Sequence, residues 1–393
     1  MRTIGIVLLF IIIGIGSIVL LKHEDTIQKT IVPFVPSVTT QPSHSQLLPQ
    51  TPARINFTLP SRIQIHEFAK DLGSPRVLAF SQGGTLLVSD PSNNQVTALS
   101  DPDHQGIATS KKVVLQGGNH IHGLAFYNGK IYVAEVDKIV RYNWDEKNLE
   151  MTIDKSLFSL PQNNDHTNRT ITFDQNGTMY VSVGSTCNVC IESNPFSATV
   201  IVSNANGDTP HIFVSGVRNE AFTAVNPVTN ELWGTDMGRD NLGDTLPPDT
   251  ITILKNGENY GWPYCYGNRI HDTNFDPSNK GSCTKTALPL YEISAHSAPL
   301  GLVFIKSSQF PFDWQNDLLV AYHGSWNRSS PIGYKVVHMK VNGNHITSVE
   351  DFITGFLQSG NALGRPVDLV FDTQGNLYIS DDKAGTIYIV QKK

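Results

Sequence analysis

Asp165-His166 is a residue pair able to accept a proton near neutral pH, because an adjacent carboxylate can orient an imidazole and raise its basicity. The plain alternative is a solvated loop histidine. Gly216-Val217-Arg218-Asn219 sets a planar cation beside an amide, a combination that grips carboxylates or quinone oxygens. Its alternative is an Arg218 that ties segments together through backbone carbonyls. The stretch from Asp236 through Gly238, Arg239 and Asp240 to Asp244, continued by Pro247-Pro248-Asp249, collects hard oxygen donors of the kind that suit Ca²⁺. Its spacing is not that of an EF-hand, and a solvated acidic loop is the alternative. Asn259-Tyr260-Gly261-Trp262-Pro263, His296-Ser297-Ala298-Pro299, His323-Gly324-Ser325-Trp326-Asn327-Arg328 and Gly364-Arg365-Pro366 add aromatic, imidazole and guanidinium groups. Such groups could make a platform for a sugar or a flat cofactor, although each alone could be packing.

Groups this far apart in the chain can meet only if the fold gathers distant loops, and internal repetition shows how it does so. An apolar strand, a Gly-bearing turn and a second strand recur in Val77–Asp90, Gly123–Asp137, Ile171–Gly184, Phe222–Asp236, Leu300–Tyr322 and Val367–Asp381, six copies in all. Alternation such as Leu377-Tyr378-Ile379 suits pleated strands, and the Asn-Gly and Gly-Gly turns suit tight hairpins. Helical periodicity is absent. The expectation is an all-β chain: a six-bladed β-propeller of four-stranded blades over 63–393, with a solenoid or sandwich as the alternative. Nearly every chemistry-bearing segment then falls on a blade-edge loop, where function usually sits. Long insertions are expected at 240–297 and 324–361.

The segments Gly216–Asn219, Leu254–Gly267, Ala295–Leu302, His323–Arg328, Gly364–Val367 and Ser380–Tyr388 run collinearly, and together they resemble the soluble, pyrroloquinoline quinone (PQQ)-dependent glucose and sorbosone dehydrogenase family, in its sorbosone-dehydrogenase-like aldose sugar dehydrogenase branch. The resemblance covers about residues 80–390. It implies a propeller that binds PQQ and Ca²⁺ at its central mouth and oxidises a sugar, passing electrons to an external or membrane acceptor. It casts His166 as the base, Asp165 as its orienting partner, and Arg218 and Asn219 as the groups over the reactive quinone oxygen. The carbonyls of Gly238 and Arg239 resemble the Ca²⁺ ligands, and His323, Arg328 and Arg365 are placed at the cofactor, with Arg365 clamping a carboxylate. Glucose-oxidising members tend to carry a Gln and a Lys where this chain reads Asn119-His120-Ile121-His122 and His323-Gly324-Ser325-Trp326, and the paired arginine clamp reduces to Arg365.

Ile4–Leu21 is an uncharged run of roughly 18 residues, at the lower limit for a membrane span, so residues 1–23 read as an anchor or a cleaved signal. Residues 24–62, rich in Pro, Ser and Thr, read as a linker, which leaves the propeller exported. In that setting the four cysteines are expected to pair as Cys187–Cys190 and Cys265–Cys283. A net charge of −6 without basic blocks argues against nucleic acid as a partner. Oligomeric state is not legible. Two other function classes fit the same fold: a non-catalytic exported propeller that binds a carbohydrate or protein, and a Ca²⁺-dependent lactonase-like hydrolase.

Overall fold

The computed structural model describes residues 55–162 and 165–393. The apolar run Ile4–Leu21 and most of the Pro-rich stretch lie outside these residues, and among the described residues no helix is long and apolar enough to cross a membrane.

Six four-stranded antiparallel sheets make up the described chain, with two short hairpins beside them. Each blade opens with a strand that faces the centre: Leu78–Phe80, Gly123–Tyr127, Ile171–Phe173, Glu220–Val225, Pro299–Phe304 and Pro366–Phe371. These strands touch one another in sequence around a ring, and the last touches the first. The expected propeller is therefore the observed one.

The ring is closed by a strand that the repeat pattern did not supply. Ile63–Ala69 pairs antiparallel with Thr386–Lys392, so the start of the propeller supplies the fourth strand of its last blade. Residues 55–62, expected to be linker, pack on the same blade. Thr58 bridges Thr354, and the Phe57 ring meets those of Phe356 and Tyr388 edge-on at 5.0 Å each. A linker composition in the preceding residues masked Ile55, Phe57 and Leu59, whose apolar faces join the core of the last two blades.

The stretch 324–361 is mostly not an insertion. It holds Lys335–Asn342 and His345–Ile353, the two outer strands of the fifth blade. The fourth blade does carry one: 255–290 leaves the sheet between Asp249–Leu254 and Tyr291–Ile293 and is stapled by Cys265–Cys283. Both expected disulfides are present. Between blades, fully buried side chains such as Trp233, Leu87, Ile131 and Val320 form the largest core cluster. Each such side chain contributes roughly 1.5–3 kcal/mol from apolar burial. That core makes the central face rigid enough to hold loops in register.

Candidate active site

Because all six blades run the same way, the residues before each first strand and those after each second strand emerge on one face. Arg76, His122, His166 to Arg169, Arg218-Asn219, His296 to Ala298 and Arg365 come from the first set. Gly184-Ser185, Met237 to Arg239, His323 and Asp382 come from the second.

His166 is largely buried, and its Nδ1 lies 3.0 Å from the Ser185 carbonyl and 2.8 Å from Ser185 Oγ. A carbonyl oxygen can only accept, so Nδ1 carries the hydrogen and Nε2 is the basic nitrogen of the neutral ring. Burial, then the nearby Arg218 charge, pushes the imidazole down to about 3, with the Ser185 bond opposing and Arg169 adding to the fall. The ring is neutral at physiological pH. The resemblance gave the orienting role to Asp165, but that residue is exposed and Ser185 holds Nδ1 instead. Gly184 keeps this corner open: a Cβ there would sit 2.5 Å from His166 Cβ and 3.2 Å from Asn219 Oδ1. His166 and Asn219 therefore flank one narrow space.

Arg218 is 5% exposed, and every side of its guanidinium is engaged. Nε donates to Asn188 O at 2.9 Å, Nη1 to the carbonyls of Gly238 at 2.9 Å and Met237 at 3.3 Å, and Nη2 to Asn188 Oδ1 at 3.0 Å and Asp240 Oδ2 at 3.1 Å. Burial lowers its pKa, and Asp240, Asp236 and Asp249 oppose that. Beneath it, Asp236 accepts the backbone N–H groups of Arg218 and Asn219 at 3.2 and 2.7 Å, which fixes the direction of the pair. Asp249 accepts from Gly238 N and Ala298 N at 2.9 Å each, tying the 237–239 loop to the next blade. Burial raises Asp249 to about 7 and pushes Glu220 and Asp236 upward as well.

The two carbonyl donors expected for Ca²⁺ stand in this oxygen-rich corner, but the Gly238 carbonyl already accepts Arg218. The Arg239 side chain turns away to Asp272 at 2.8 Å. Arg328, expected at the cofactor, is spent on loop ties, donating to the carbonyls of Asp244 at 2.5 Å and Ala295 at 3.1 Å.

Across the mouth the arrangement differs. His323 Nε2 lies 3.0 Å from both Asp382 oxygens, and Asp382 accepts Arg76 Nη1 at 2.6 Å. Burial lowers His323 to about 4, so the ring is neutral and donates to Asp382. Burial raises Asp382, but His323 and Arg76 together hold it well below the usual carboxylate range. Arg365 gives Nε to His323 O at 3.2 Å and Nη2 to Gly324 O, with its guanidinium 5.6 Å from the Tyr334 ring centre. Arg76 Nη2 and Arg365 Nη1 have no hydrogen-bond partner among the described residues, yet neither is a buried orphan, so both corners face solvent.

Ser185, Asn188 and Arg76 are the site residues that motif reading missed, while Asp236 and Asp249 were read as oxygen donors for Ca²⁺ and Asp382 only as part of the Ser380–Tyr388 segment. Arg76 could have been found from register, since it precedes its blade's first strand as Arg365 precedes another.

Residues 57–393 match the model of the TrAA12-like family. The chain belongs to that family. An uncharacterized protein of Borreliella burgdorferi is 35% identical over 290 residues, 68% of this chain and 74% of that one. A pyrroloquinoline quinone-dependent sugar dehydrogenase of Hypocrea jecorina is 24% identical over 82% of this chain and 86% of that one. Among solved structures, the holo form of the PQQ domain of Coprinopsis cinerea pyranose dehydrogenase superposes with a TM-score of 0.75 at 22% identity, covering 86% of this chain and 98% of that one, a likeness of fold.

Proposed function

We propose that this TrAA12-like protein is a PQQ-dependent dehydrogenase that oxidises an aldose or a related sugar aldehyde at its propeller mouth. One observation carries the reading. A neutral histidine, with Nδ1 bonded to Ser185 so that Nε2 is its basic nitrogen, flanks one narrow space with Asn219, next to an Arg218 whose backbone is preoriented by Asp236. The PQQ dependence of the Hypocrea and Coprinopsis relatives supports the choice of cofactor.

The residues present suit the group. PQQ is flat and carries carboxylates, and the solvent-facing corners of Arg76 and Arg365 offer forked donors to them. Arg76 thus stands where a second clamp arginine was lacking in the motifs. Ca²⁺ suits the corner of Gly238 O, Asp236, Asp240 and Asp249, which is rich in hard oxygen donors. Its entry requires Arg218 to yield the Gly238 carbonyl.

When bound, the quinone supplies a two-electron acceptor and Ca²⁺ a fixed positive charge beside it. His166 Nε2 takes the proton of the sugar hydroxyl being oxidised. Asn219 and Arg218 set the polar wall opposite, where positive potential stabilises charge that builds during the reaction. Asp236 keeps that wall from turning by holding both backbone N–H groups. The apolar run Ile4–Leu21 and the two disulfides support an exported domain that delivers electrons to an acceptor outside the cytoplasm.

The test is reconstitution of purified protein with PQQ and Ca²⁺, followed by a panel of aldoses and sugar aldehydes with the quinone absorbance as readout. Reduction of bound quinone by at least one of them is expected. Saturable quinone binding with no reduction by any sugar would favour a non-catalytic propeller, and no binding at all would remove the quinone reading.

A further inference from the structure

The loop between the second and third strands of the third blade, 184–198, carries Cys187-Asn188-Val189-Cys190, closed on itself by a disulfide. Asn188 at its tip makes two hydrogen bonds to the Arg218 guanidinium, where Met237, Gly238 and Asp240 make one each. Its carbonyl accepts Arg218 Nε at 2.9 Å, and its Oδ1 accepts Arg218 Nη2 at 3.0 Å and Asp240 N at 2.8 Å. Its Nδ2 donates to Asp240 O at 3.3 Å. Asp240 in turn pairs with Arg218 and accepts Asn327 Nδ2 at 2.9 Å. The same loop reaches the base, because Ser185 Oγ, beside His166 Nδ1, donates to Cys187 O at 2.7 Å.

We infer that Asn188, held at the tip of the Cys187–Cys190 loop, is the positioning residue that aims the Arg218 guanidinium. The reasoning is geometric. A buried guanidinium on a flexible stem needs acceptors at several nitrogens to hold one orientation. Asn188 supplies two, one to each nitrogen of the Nε/Nη2 edge, from a single residue. Its side-chain oxygen also fixes Asp240, so Arg218 and its counter-ion are set by one amide. A four-residue loop closed by its own disulfide has few alternative conformations, which limits how far Asn188 can drift. The motif gave Cys187 and Cys190 as an expected disulfide and assigned no role to Asn188.

The inference rests on Arg218 acting in the proposed reaction, and the test separates the two. Asn188→Ala removes Oδ1 and keeps the backbone carbonyl. It is expected to lower kcat of the reconstituted enzyme by about 10- to 100-fold, the usual range for a hydrogen bond to a charged group, with a smaller change in sugar KM. Asn188→Asp, which keeps the acceptor, is expected to restore most of the rate. The deciding comparison is the cycle of Asn188→Ala, Arg218→Ala and the double variant. If Asn188 works through Arg218, the double variant is no slower than Arg218→Ala, and the two single changes shift the affinity and absorption spectrum of bound PQQ in the same sense. Fully additive losses, or a wild-type rate in Asn188→Ala, would overturn the inference while leaving the dehydrogenase reading standing. A wild-type protein that binds no PQQ would overturn both. Should Asn188→Ala unfold, Cys187→Ser/Cys190→Ser keeps Asn188 but opens its loop, and the same non-additivity with Arg218→Ala is expected; additivity there counts against the inference.

Discussion

The two halves of the propeller mouth spend their cations differently. On the side of the third and fourth blades, Arg218 has a protein acceptor on each side of its guanidinium, and His166 has its Nδ1 fixed by Ser185. On the side of the fifth, sixth and first blades, Arg76 and Arg365 each keep one corner toward solvent, and the neutral His323 serves to align Asp382 with Arg76. A guanidinium fully satisfied by the protein is preorganised: it changes the local potential without needing the ligand to hold it. A guanidinium with one N–H corner left over can add a charge-assisted bond to an arriving carboxylate. On the proposed function, the first half serves the reaction and the second retention of the cofactor.

The largest expected effect comes from the first half. His166→Ala is expected to reduce turnover by roughly 10²–10⁴, the usual contribution of a general base, with quinone affinity changed far less. Stopped-flow reduction of bound quinone by sugar measures the step directly. An unchanged rate would break the division between the halves at its most exposed point.

The second half is expected to show the opposite signature. Arg76→Gln and Arg365→Gln should each weaken PQQ binding by about 10- to 100-fold, and kcat at saturating quinone should stay within a few-fold of wild type. Fluorescence titration with PQQ, repeated with its trimethyl ester, makes the test specific, because only the acid form can use the clamp. If Arg76→Gln lowers kcat and leaves affinity intact, Arg76 belongs with the reacting half. Since Arg76 also pairs with Asp382, Arg76→Gln/Asp382→Asn serves as the variant that leaves no buried carboxylate unpaired.

How much of this was legible in the sequence follows the same divide between local and distant information. The six hairpins were legible because each is a local pattern of alternating apolar residues around a turn. The strand Ile63–Ala69 was not, since its partner Thr386–Lys392 lies at the other end of the chain. The fifth blade's outer hairpin carries Asn342-Gly343 at its turn and was overlooked in favour of an insertion, although the signal was present. His166, Arg218, Asn219 and Arg365 each precede a blade's first strand, a position legible from the repeats. What each guanidinium bonds to could not be read, because Asn188, Asp240, Gly238 and His323 reach their partners from other loops.

A smaller effect should come from bracing. Gly364, just before Arg365, is packed so that a Cβ would meet Phe356 at 2.8 Å and Ile55 at 3.0 Å. Phe57 caps the same cluster. Starting the chain at Arg62 instead of before Ile55 is expected to lower Tm by several degrees, in proportion to about 1–2 kcal/mol of lost packing, and to weaken PQQ binding a few-fold with kcat preserved. Equal loss in both halves would mean that the segment supports the ring as a whole and not the retaining side.

The smallest expected effect is a near absence of pH response from His166 itself. His166 titrates near 3 in the folded chain, because burial and Arg218 disfavour its protonated form. Catalysis that depends on its neutral ring should therefore persist as pH falls through 6.5, where an exposed histidine would be half protonated. The acid limb that His166 contributes to kcat is expected well below pH 5; a limb near about 6–7 is expected only from Asp236 or Asp249, and one that persists near 6.5 in Asp236→Asn and in Asp249→Asn would show that His166 is either solvated or not the base. Stability responds with a definite sign. Between about pH 6.5 and 3 the unfolded chain binds a proton at residue 166 that the folded chain does not, so this histidine makes folding less favourable as pH falls, by at most about 1.4 kcal/mol per pH unit. Buried acids such as Asp368, which burial raises to about 7, act in the opposite direction over part of that range. The wild-type slope is a sum, and the informative quantity is a difference. His166→Asn should be more acid-tolerant than wild type between pH 6 and about 4 by thermal melts, with the gap closing above pH 7. A constant gap across that range would place the residue 166 imidazole in water and return the reacting half to an ordinary solvated loop.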